Sequence, residues 1–246
     1  MIVLFLVSML WSQESKMKKI RLKQTHVENI GTKNHYTSFG LSGNNKQQTY
    51  FDRLREMITT PVPSFIKREI DGLKLFILDQ TAKGYMALYR SPLSAEKYHF
   101  KVLVSSDNAE VSNKIDLLNL VGSKYNLEVQ DVRLKDDILY FNAPSVTYAS
   151  STKGKSAALY AYDLLHHKLL WKSHYLVSNN IFLVEDDFIV SGYGFTAERD
   201  WLYILDRASG KVLAKKRLDS APYYLEMQGN KLFVITYNKF YTFEIE

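Results

Sequence analysis

Two pairs of adjacent aspartates are the first residues whose types could perform chemistry. Asp136-Asp137 and Asp186-Asp187 each stand between apolar stretches. Neighbouring carboxylates can ligate a metal ion or exchange protons with a substrate. Comparable apolar-flanked positions hold Asp71-Gly72 and Gly229-Asn230, which are residue types typical of tight turns. Since no D-x-D-x-D-G calcium loop occurs, the pattern favours hairpin turns over a metal or acid–base site.

The remaining chemical motifs are equally weak. His166-His167 falls in a predicted turn, where adjacent rings cannot readily reach one metal ion. Gly192-Tyr193-Gly194 lies between two predicted strands rather than before a helix, so it does not indicate a phosphate loop. No G-x-S-x-G nucleophile motif is present, and the chain has no cysteine. We therefore expect no catalytic residue, no metal site and no cofactor.

Two long segments between predicted strands are better suited to recognition. Residues 142–156 and 192–200 combine Ser, Thr and Gly with aromatic and charged side chains. Loops often carry function, and aromatic residues and arginine supply much of the energy of an interface. The candidate binding residues are Tyr148, Lys153, Lys155, Tyr193, Phe195, Glu198 and Arg199. Four further residues are expected on the same side: Tyr175, Asn179, Asn180 and Tyr223.

The elements that position these loops repeat along the chain. Residues 159–163 (LYAYD) recur 43 residues later as LYILD, and residues 168–172 (KLLWK) recur at the same offset as KVLAK. A third copy begins near residue 228. Such a period, with four alternating strands (A to D) per unit, is typical of propeller blades. The sequence predicts an all-β fold, a small β-propeller of about four to six four-stranded antiparallel blades. Its B–C and D–A loops lie on one face.

These units resemble the repeats of quinoprotein-like (PQQ-like) and WD40-like β-propellers. The quinoprotein pattern LYALD…TGKxLW is matched by residues 159–171 and, with Ala214 in place of the tryptophan, by residues 202–214. The resemblance covers residues 127–246 and implies the architecture but no particular activity. Its pyrroloquinoline quinone site cannot be recognised here. Aromatic side chains expected to pack between blades are Tyr160, Trp171, Trp201 and Tyr203.

The N-terminal half fits the repeat less closely. Residues 64–105 predict one more blade, with strands at 65–69, 73–78, 84–90 and 99–104. Apolar residues at helical spacing predict two helical insertions, at 50–59 and 111–121. The last repeat lacks a fourth strand, which residues 18–26 are predicted to supply.

The first residues suggest export. Residues 2–11 form an apolar run, shorter than the roughly 20 residues that span a bilayer but of signal-peptide length, although no basic residue precedes it. We expect residues 1–12 to be a signal peptide and 13–246 a single domain, periplasmic or extracellular. No transmembrane segment is expected. The alternative for this run is a buried first strand.

Charge and composition bound the function. The net charge is +6, but the basic residues are scattered, so no nucleic-acid partner is expected. The sequence predicts a non-catalytic binding or scaffold module that contacts a protein or a cell-envelope ligand through its B–C loops. The alternative is a glycan hydrolase or lyase on a five-bladed ring, needing two carboxylates about 5–10 Å apart. Its candidates are Glu69, Glu198 and Asp200.

Overall fold

The computed structural model describes residues 20–30, 62–92, 95–106 and 110–246. The predicted signal peptide and the predicted helix at 50–59 lie outside these residues. The described chain forms four antiparallel sheets, which confirms the all-β prediction and gives about four propeller blades. Within the described ranges, no helix has the length and apolar character needed to cross a membrane.

The strands follow the chain blade by blade, except that the first strand, β1 (Leu22–Asn29), joins the last sheet. Blade 1 holds β2 (Glu69–Ile70), β3 (Leu73–Thr81), β4 (Gly84–Arg90), β5 (Phe100–Ser105) and β6 (Val111–Asp116). Blade 2 holds β7 (Val132–Lys135), β8 (Ile138–Ala143), β9 (Ala158–Asp163) and β10 (Lys168–Lys172). Blade 3 holds β11 (Phe182–Val184), β12 (Phe188–Tyr193), β13 (Trp201–Asp206) and β14 (Val212–Arg217). Blade 4 holds β15 (Tyr224–Gln228), β16 (Lys231–Ile235), β17 (Lys239–Ile245) and β1.

The central strands are buried on both faces, so neighbouring blades share cores. Along β8, Leu139 and Phe141 pack towards blade 1, while Tyr140 between them packs towards blade 3. This alternation follows from the two-residue period of a strand. The rings of Phe141 and Tyr160 stack 4.8 Å apart. Each fully buried side chain of this size stabilises the fold by roughly 1.5–3 kcal/mol.

The tryptophan of the repeat motif joins blade 2 to blade 3. Trp171 Nε1 donates a hydrogen bond to the Arg207 carbonyl over 3.0 Å, and its ring covers Gly210 so closely that a Cβ there would collide with it. Packing between blades is thereby confirmed for Trp171, as it is for Tyr160 and Tyr203. Trp201 instead contacts Tyr203 and Lys215 of its own blade.

The predicted closure of the last repeat by the N-terminal segment is confirmed. β1 pairs antiparallel with β17, from Leu22 opposite Ile245 to Asn29 opposite Lys239. Beyond the strand, Arg21 and Glu246 exchange backbone hydrogen bonds of 2.8 and 3.0 Å. The segment covers an edge of β17 that would otherwise be open.

The predicted helix at 111–121 is largely wrong. Residues 111–116 form β6 on the edge of β5, and only a single helical turn, α1 (Leu118–Val121), follows. The buried side chains are Ile115 and Leu117, which alternate as in a strand, while Val111 is 56% exposed. Helical spacing was compatible with the sequence, but pairing with β5 satisfies the backbone of both strands.

In blade 1, the four predicted strands correspond to β2 to β5, whereas strands A to D of the blade are β3 to β6. Asp71-Gly72 does turn between β2 and β3, as predicted, with φ of +51° and +74°. However, the turn beside Asp137 is the β3–β4 turn, where Lys83 Nζ lies 2.6 Å from the Asp137 carboxylate. β3 to β6 are therefore strands A to D, and β2 is an additional strand. Residues 65 and 66, the first two of the predicted strand at 65–69, belong to a turn, with Ile66 N donating to Pro63 O over 2.9 Å.

Candidate functional site

A large cleft lies where the B–C and D–A loops of blades 3 and 4 meet, at the end of the blades called the loop face. The opposite end, with the A–B and C–D turns, is called the turn face. This loop-face cleft has a volume of about 800 Å³. Its walls come from residues 194–198 and Asp200, from the linkers at 179–180 and 219–223, and from the loop residues Val146 and Tyr237.

Two glycines let the linker between blades 3 and 4 pack against the end of β12. A Cβ on Gly192 would collide with the ring of Pro222, and one on Gly194 would collide with Asp200 and Ala221. The motif Gly192-Tyr193-Gly194 is therefore a close backbone contact. Asn179 fixes the same place, since its Nδ2 donates to Gly194 O over 2.7 Å and its Oδ1 accepts from Gly194 N over 3.0 Å.

Between these glycines, Tyr193 is buried and anchors the cleft wall. Its hydroxyl donates a hydrogen bond to Glu198 Oε2, while Glu198 Oε1 accepts one from Ala149 N over 2.7 Å. Burial, together with the Glu198 carboxylate, raises the pKa of Tyr193 well above its usual range. Tyr193 therefore stays neutral and remains a donor, and Glu198 connects the loops of blades 2 and 3.

The floor of the cleft rests on a polar network between blades 2 and 3. Asn142 Oδ1 accepts from the backbone N–H groups of Gln130 and Asp131, at 3.2 and 3.0 Å. Asn142 Nδ2 donates to Asn180 O over 2.6 Å, and Asn180 N donates back to Gln130 Oε1 over 2.9 Å. Because buried polar groups are costly unless paired, this network holds the linker at 179–180 in one arrangement.

Three carboxylates line the cleft, and they differ in their surroundings. Lys239 forms an ion pair with Asp219 and lowers its pKa. Asp200 has a raised pKa, chiefly because of burial, with Arg217 opposing and Glu198 reinforcing the shift. Among the described residues, no cation forms an ion pair with Asp200 or Glu198. No lysine or arginine of the described chain lines the cleft.

The structure divides the predicted binding residues. Phe195 and Glu198 line the cleft, and Tyr148, 46% exposed, contacts Phe195 with 5.8 Å between ring centroids. Tyr193 is buried behind the wall. Of the four further residues, Asn179, Asn180 and Tyr223 line the cleft and Tyr175 does not.

The other predicted residues lie elsewhere. Arg199 is exposed and is not part of the cleft wall, and Lys153 ends a 3₁₀ turn with φ +54°. Lys155 lines a second, smaller pocket of about 250 Å³, together with Lys124, Lys172 and Tyr175. Lys172 Nζ lies 4.3 Å from the Tyr175 ring centroid and donates to the Tyr175 hydroxyl over 3.0 Å.

Several residues of the cleft were not predicted, for two reasons. Tyr237 belongs to a B–C loop of only three residues, 236–238, so loop length did not single it out. The linker before the third repeat also lines the cleft, through Asp219, Ala221 and Pro222, but the sequence predicted only its Tyr223. The signal that could have found them is position, because every D–A linker returns to the loop face.

The aspartate pairs lie on the turn face. Asp136 and Asp137 both have positive φ, as expected for a tight turn. Arg207 Nη2 lies 2.5 Å from Asp136, and Lys135 Nζ lies 2.6 Å from Asp186. Over the described ranges, no group of three or more His, Asp or Glu residues is placed to hold a metal ion.

Four antiparallel sheets in blade order, closed at the last blade by an N-terminal strand, define a β-propeller-type protein with a cleft on its loop face. No protein-family model matches the chain, and no curated protein is similar to it in sequence. A chain in the crystal structure of a mitotic checkpoint complex is similar at 8% identity and a TM-score of 0.44, covering 70% of this chain and 63% of that one. BamB from Moraxella catarrhalis is similar at 13% identity and a TM-score of 0.36, covering 75% and 61%. The chain thus spans about three fifths of each of these structures.

Proposed function

We propose that the protein is a non-catalytic binding or scaffold module whose loop-face cleft holds a segment of another protein. The observation that carries this proposal is the cleft itself, whose volume of about 800 Å³ lies within the usual range for ligand sites.

The surface chemistry of the cleft suits a protein partner. Three large apolar or aromatic side chains at its edge are exposed: Val146 by 43%, Tyr148 by 46% and Tyr237 by 67%. Exposed apolar groups that gather at one place mark interaction sites. Phe195 and Tyr223 extend this surface into the cleft.

The cleft is also formed in advance of binding. Asn179, Asn142 and Glu198 fix its walls by hydrogen bonds to backbone groups of neighbouring loops. A site that needs no ordering loses less entropy when a partner binds. This favours a recognition surface over loops without a role.

The proposal includes export to the periplasm or the cell exterior, supported by the apolar run at residues 2–11. The proposal also includes a relationship to quinoprotein-like repeats. It is supported by Trp171, the tryptophan of the LYALD…TGKxLW pattern, which contacts the neighbouring blade. Fractionation of cells producing the full chain with a C-terminal tag tests export. Recovery in the cytoplasm at full length would contradict it.

Site-specific photo-crosslinking tests the binding function. A benzophenone amino acid replaces Tyr237 at the cleft or, as a control, Leu165 in the β9–β10 turn; both native residues are 67% exposed. We expect a discrete adduct with one partner from position 237, absent at 165 and lost when Phe195→Ala is added. Identical adducts from both positions, or none from 237, would overturn the proposal.

A glycan hydrolase or lyase is the second candidate, favoured by one observation. Glu198 and Asp200 share the cleft, and burial raises the pKa of Asp200 as a general acid requires. Glu69 lies on β2 of blade 1 and does not line the cleft. Release of reducing ends from envelope polysaccharides, abolished by Asp200→Asn, would establish this candidate instead.

A further inference from the structure

The charge of the loop-face cleft opposes that of the whole chain. The protein carries 32 Lys and Arg against 26 Asp and Glu. The cleft lining nevertheless contains Glu198, Asp200 and Asp219 and no basic residue of the described chain. A cleft lined by charges of one sign raises the local concentration of groups of the opposite charge, which here are cations.

Two of these carboxylates are available to a ligand. Asp219 is already paired with Lys239. Glu198 accepts hydrogen bonds only from neutral donors, Tyr193 and Ala149, which hold its carboxylate in place without offsetting its charge. Asp200 is only partly exposed, and its carboxylate accepts no hydrogen bond from the described residues. Partial burial strengthens a charge-assisted hydrogen bond to such a group.

The apolar walls narrow the class of cation. Phe195, Tyr223 and Tyr237 line the same space, beside Ala221 and Pro222. Aromatic faces attract Lys and Arg by cation–π interaction, and the methylene stems of these side chains pack on apolar surface. A metal ion or a small ammonium ion would leave most of the roughly 800 Å³ unfilled.

We infer that the cleft recognises a lysine or arginine of its protein partner, flanked by apolar residues. The basic side chain enters beside Asp200 and Glu198, and the flanking residues pack on Phe195 and Tyr237. The inference rests on the proposed function, since it names the chemistry of the segment that the cleft holds.

Selection from a random 12-residue peptide library displayed on phage tests the inference on the full-length protein. Peptides bound by the wild type are compared with those bound by the double variant Phe195→Ala/Tyr237→Ala, which removes the apolar wall. We expect the wild type to enrich peptides with Lys or Arg beside an aromatic or aliphatic residue, and the double variant to lose them.

The contribution of charge to binding is then tested with one of the selected peptides, prepared synthetically. Asp200→Asn is expected to weaken binding about tenfold, the loss of one charge-assisted contact. Asp186→Asn, with the same charge change on the turn face, should leave affinity unchanged. Replacing the peptide arginine with citrulline, or its lysine with norleucine, repeats the test without altering the protein. The affinity should also fall with rising salt.

The outcomes separate the two proposals. Cleft-dependent peptides without basic residues, or affinity indifferent to Asp200→Asn and to citrulline, would overturn the basic-residue inference and leave the binding function standing. If no selected peptide depends on Phe195 and Tyr237, the cleft does not bind protein segments and both proposals fall.

Discussion

The turn face and the loop face both carry acidic side chains, but they differ in the cations nearby. On the turn face, Asp137 pairs with Lys83, Asp186 with Lys135, and Asp136 with Arg207, within 2.6, 2.6 and 2.5 Å. Each pair connects two neighbouring blades. In the loop-face cleft, Asp219 pairs with Lys239, but Glu198 and Asp200 form no ion pair with any described residue.

This difference shows which acidic residues are free to act on a ligand. The adjacent aspartates attract attention in the sequence, yet their charges are used to hold adjacent turns together. Each ion pair offsets the charge of its aspartate, but pairs as exposed as Lys83–Asp137 and Lys135–Asp186 add little stability. Glu198 and Asp200 are not adjacent in the sequence, and their carboxylates have no ion-pair partner among the described residues, so they can interact with a ligand in the cleft.

The largest expected effect concerns the blade contact that places the turn face. Gly210→Ala should destabilise the fold by about 4 kcal/mol, because a Cβ there collides with the Trp171 ring and φ is +68°. Urea unfolding measures the change. Gly229→Ala is the matched control. Gly229 has a similar φ of +61°, but a Cβ there would meet no atom within 4 Å, so the substitution should cost only about 1 kcal/mol of backbone strain. Equal losses would mean that Trp171 does not hold the two blades together.

The second effect concerns a buried acid at the loop end of blades 1 and 2. Glu128 is fully buried, and its carboxylate accepts no hydrogen bond from the described residues. Arg90 Nη2 lies 3.9 Å from Glu128 Oε1, too far to donate. Burial therefore raises the pKa of Glu128 to about 7, against 4.5 for the unperturbed side chain.

Because the pKa of Glu128 is raised in the folded protein, the unfolding free energy should decrease as the pH rises. Because the unfolded chain releases this proton first, the unfolding free energy should fall by about 3 kcal/mol between pH 4.5 and pH 7 and stay level above that. Glu128→Gln should match the wild type near pH 4.5 and be more stable at pH 8, as measured by urea unfolding across this range. A wild type that gains stability over the same interval would show that Arg90 keeps Glu128 ionised.

The third effect concerns the hydrogen bond that holds the cleft wall. Tyr193→Phe leaves Glu198 Oε2 without its donor and should lower the unfolding free energy by about 1.5 kcal/mol. It should also weaken capture at the cleft, because Glu198 is no longer fixed. Tyr203→Phe, on the next strand, is the control, since the Tyr203 hydroxyl forms no hydrogen bond with the described residues. Equal behaviour of the two variants would remove the structural role assigned to Tyr193.

The fold could be predicted in the repeats because local pattern and pairing agree there. LYAYD and LYILD became β9 and β13, and the Asp and Gly turns fell where expected. Residues 111–121 fit both a helical and a strand period, and the free edge of β5, which no local pattern reveals, decided for the strand.

The cleft was predicted only in part because loop membership does not determine where a side chain points. Phe195, Glu198 and Arg199 belong to one loop, yet only the first two line the cleft. Lys155 shares a loop with Tyr148 but lines the smaller pocket. Such directions depend on contacts between loops, such as that of Glu198 with Ala149, which bring together residues far apart in the sequence.

The smallest expected effect returns to the turn face. Asp186→Asn breaks the pair with Lys135, in which the Asp186 side chain is 92% exposed. Because water and salt screen such a pair, we expect no measurable change in the unfolding free energy at 0.15 M salt and none in peptide binding at the cleft. Urea unfolding and the peptide titration, each repeated at low salt, measure both. A clear loss at 0.15 M salt would mean that the turn-face pairs contribute to stability, and that the two faces differ less than their ion pairs suggest.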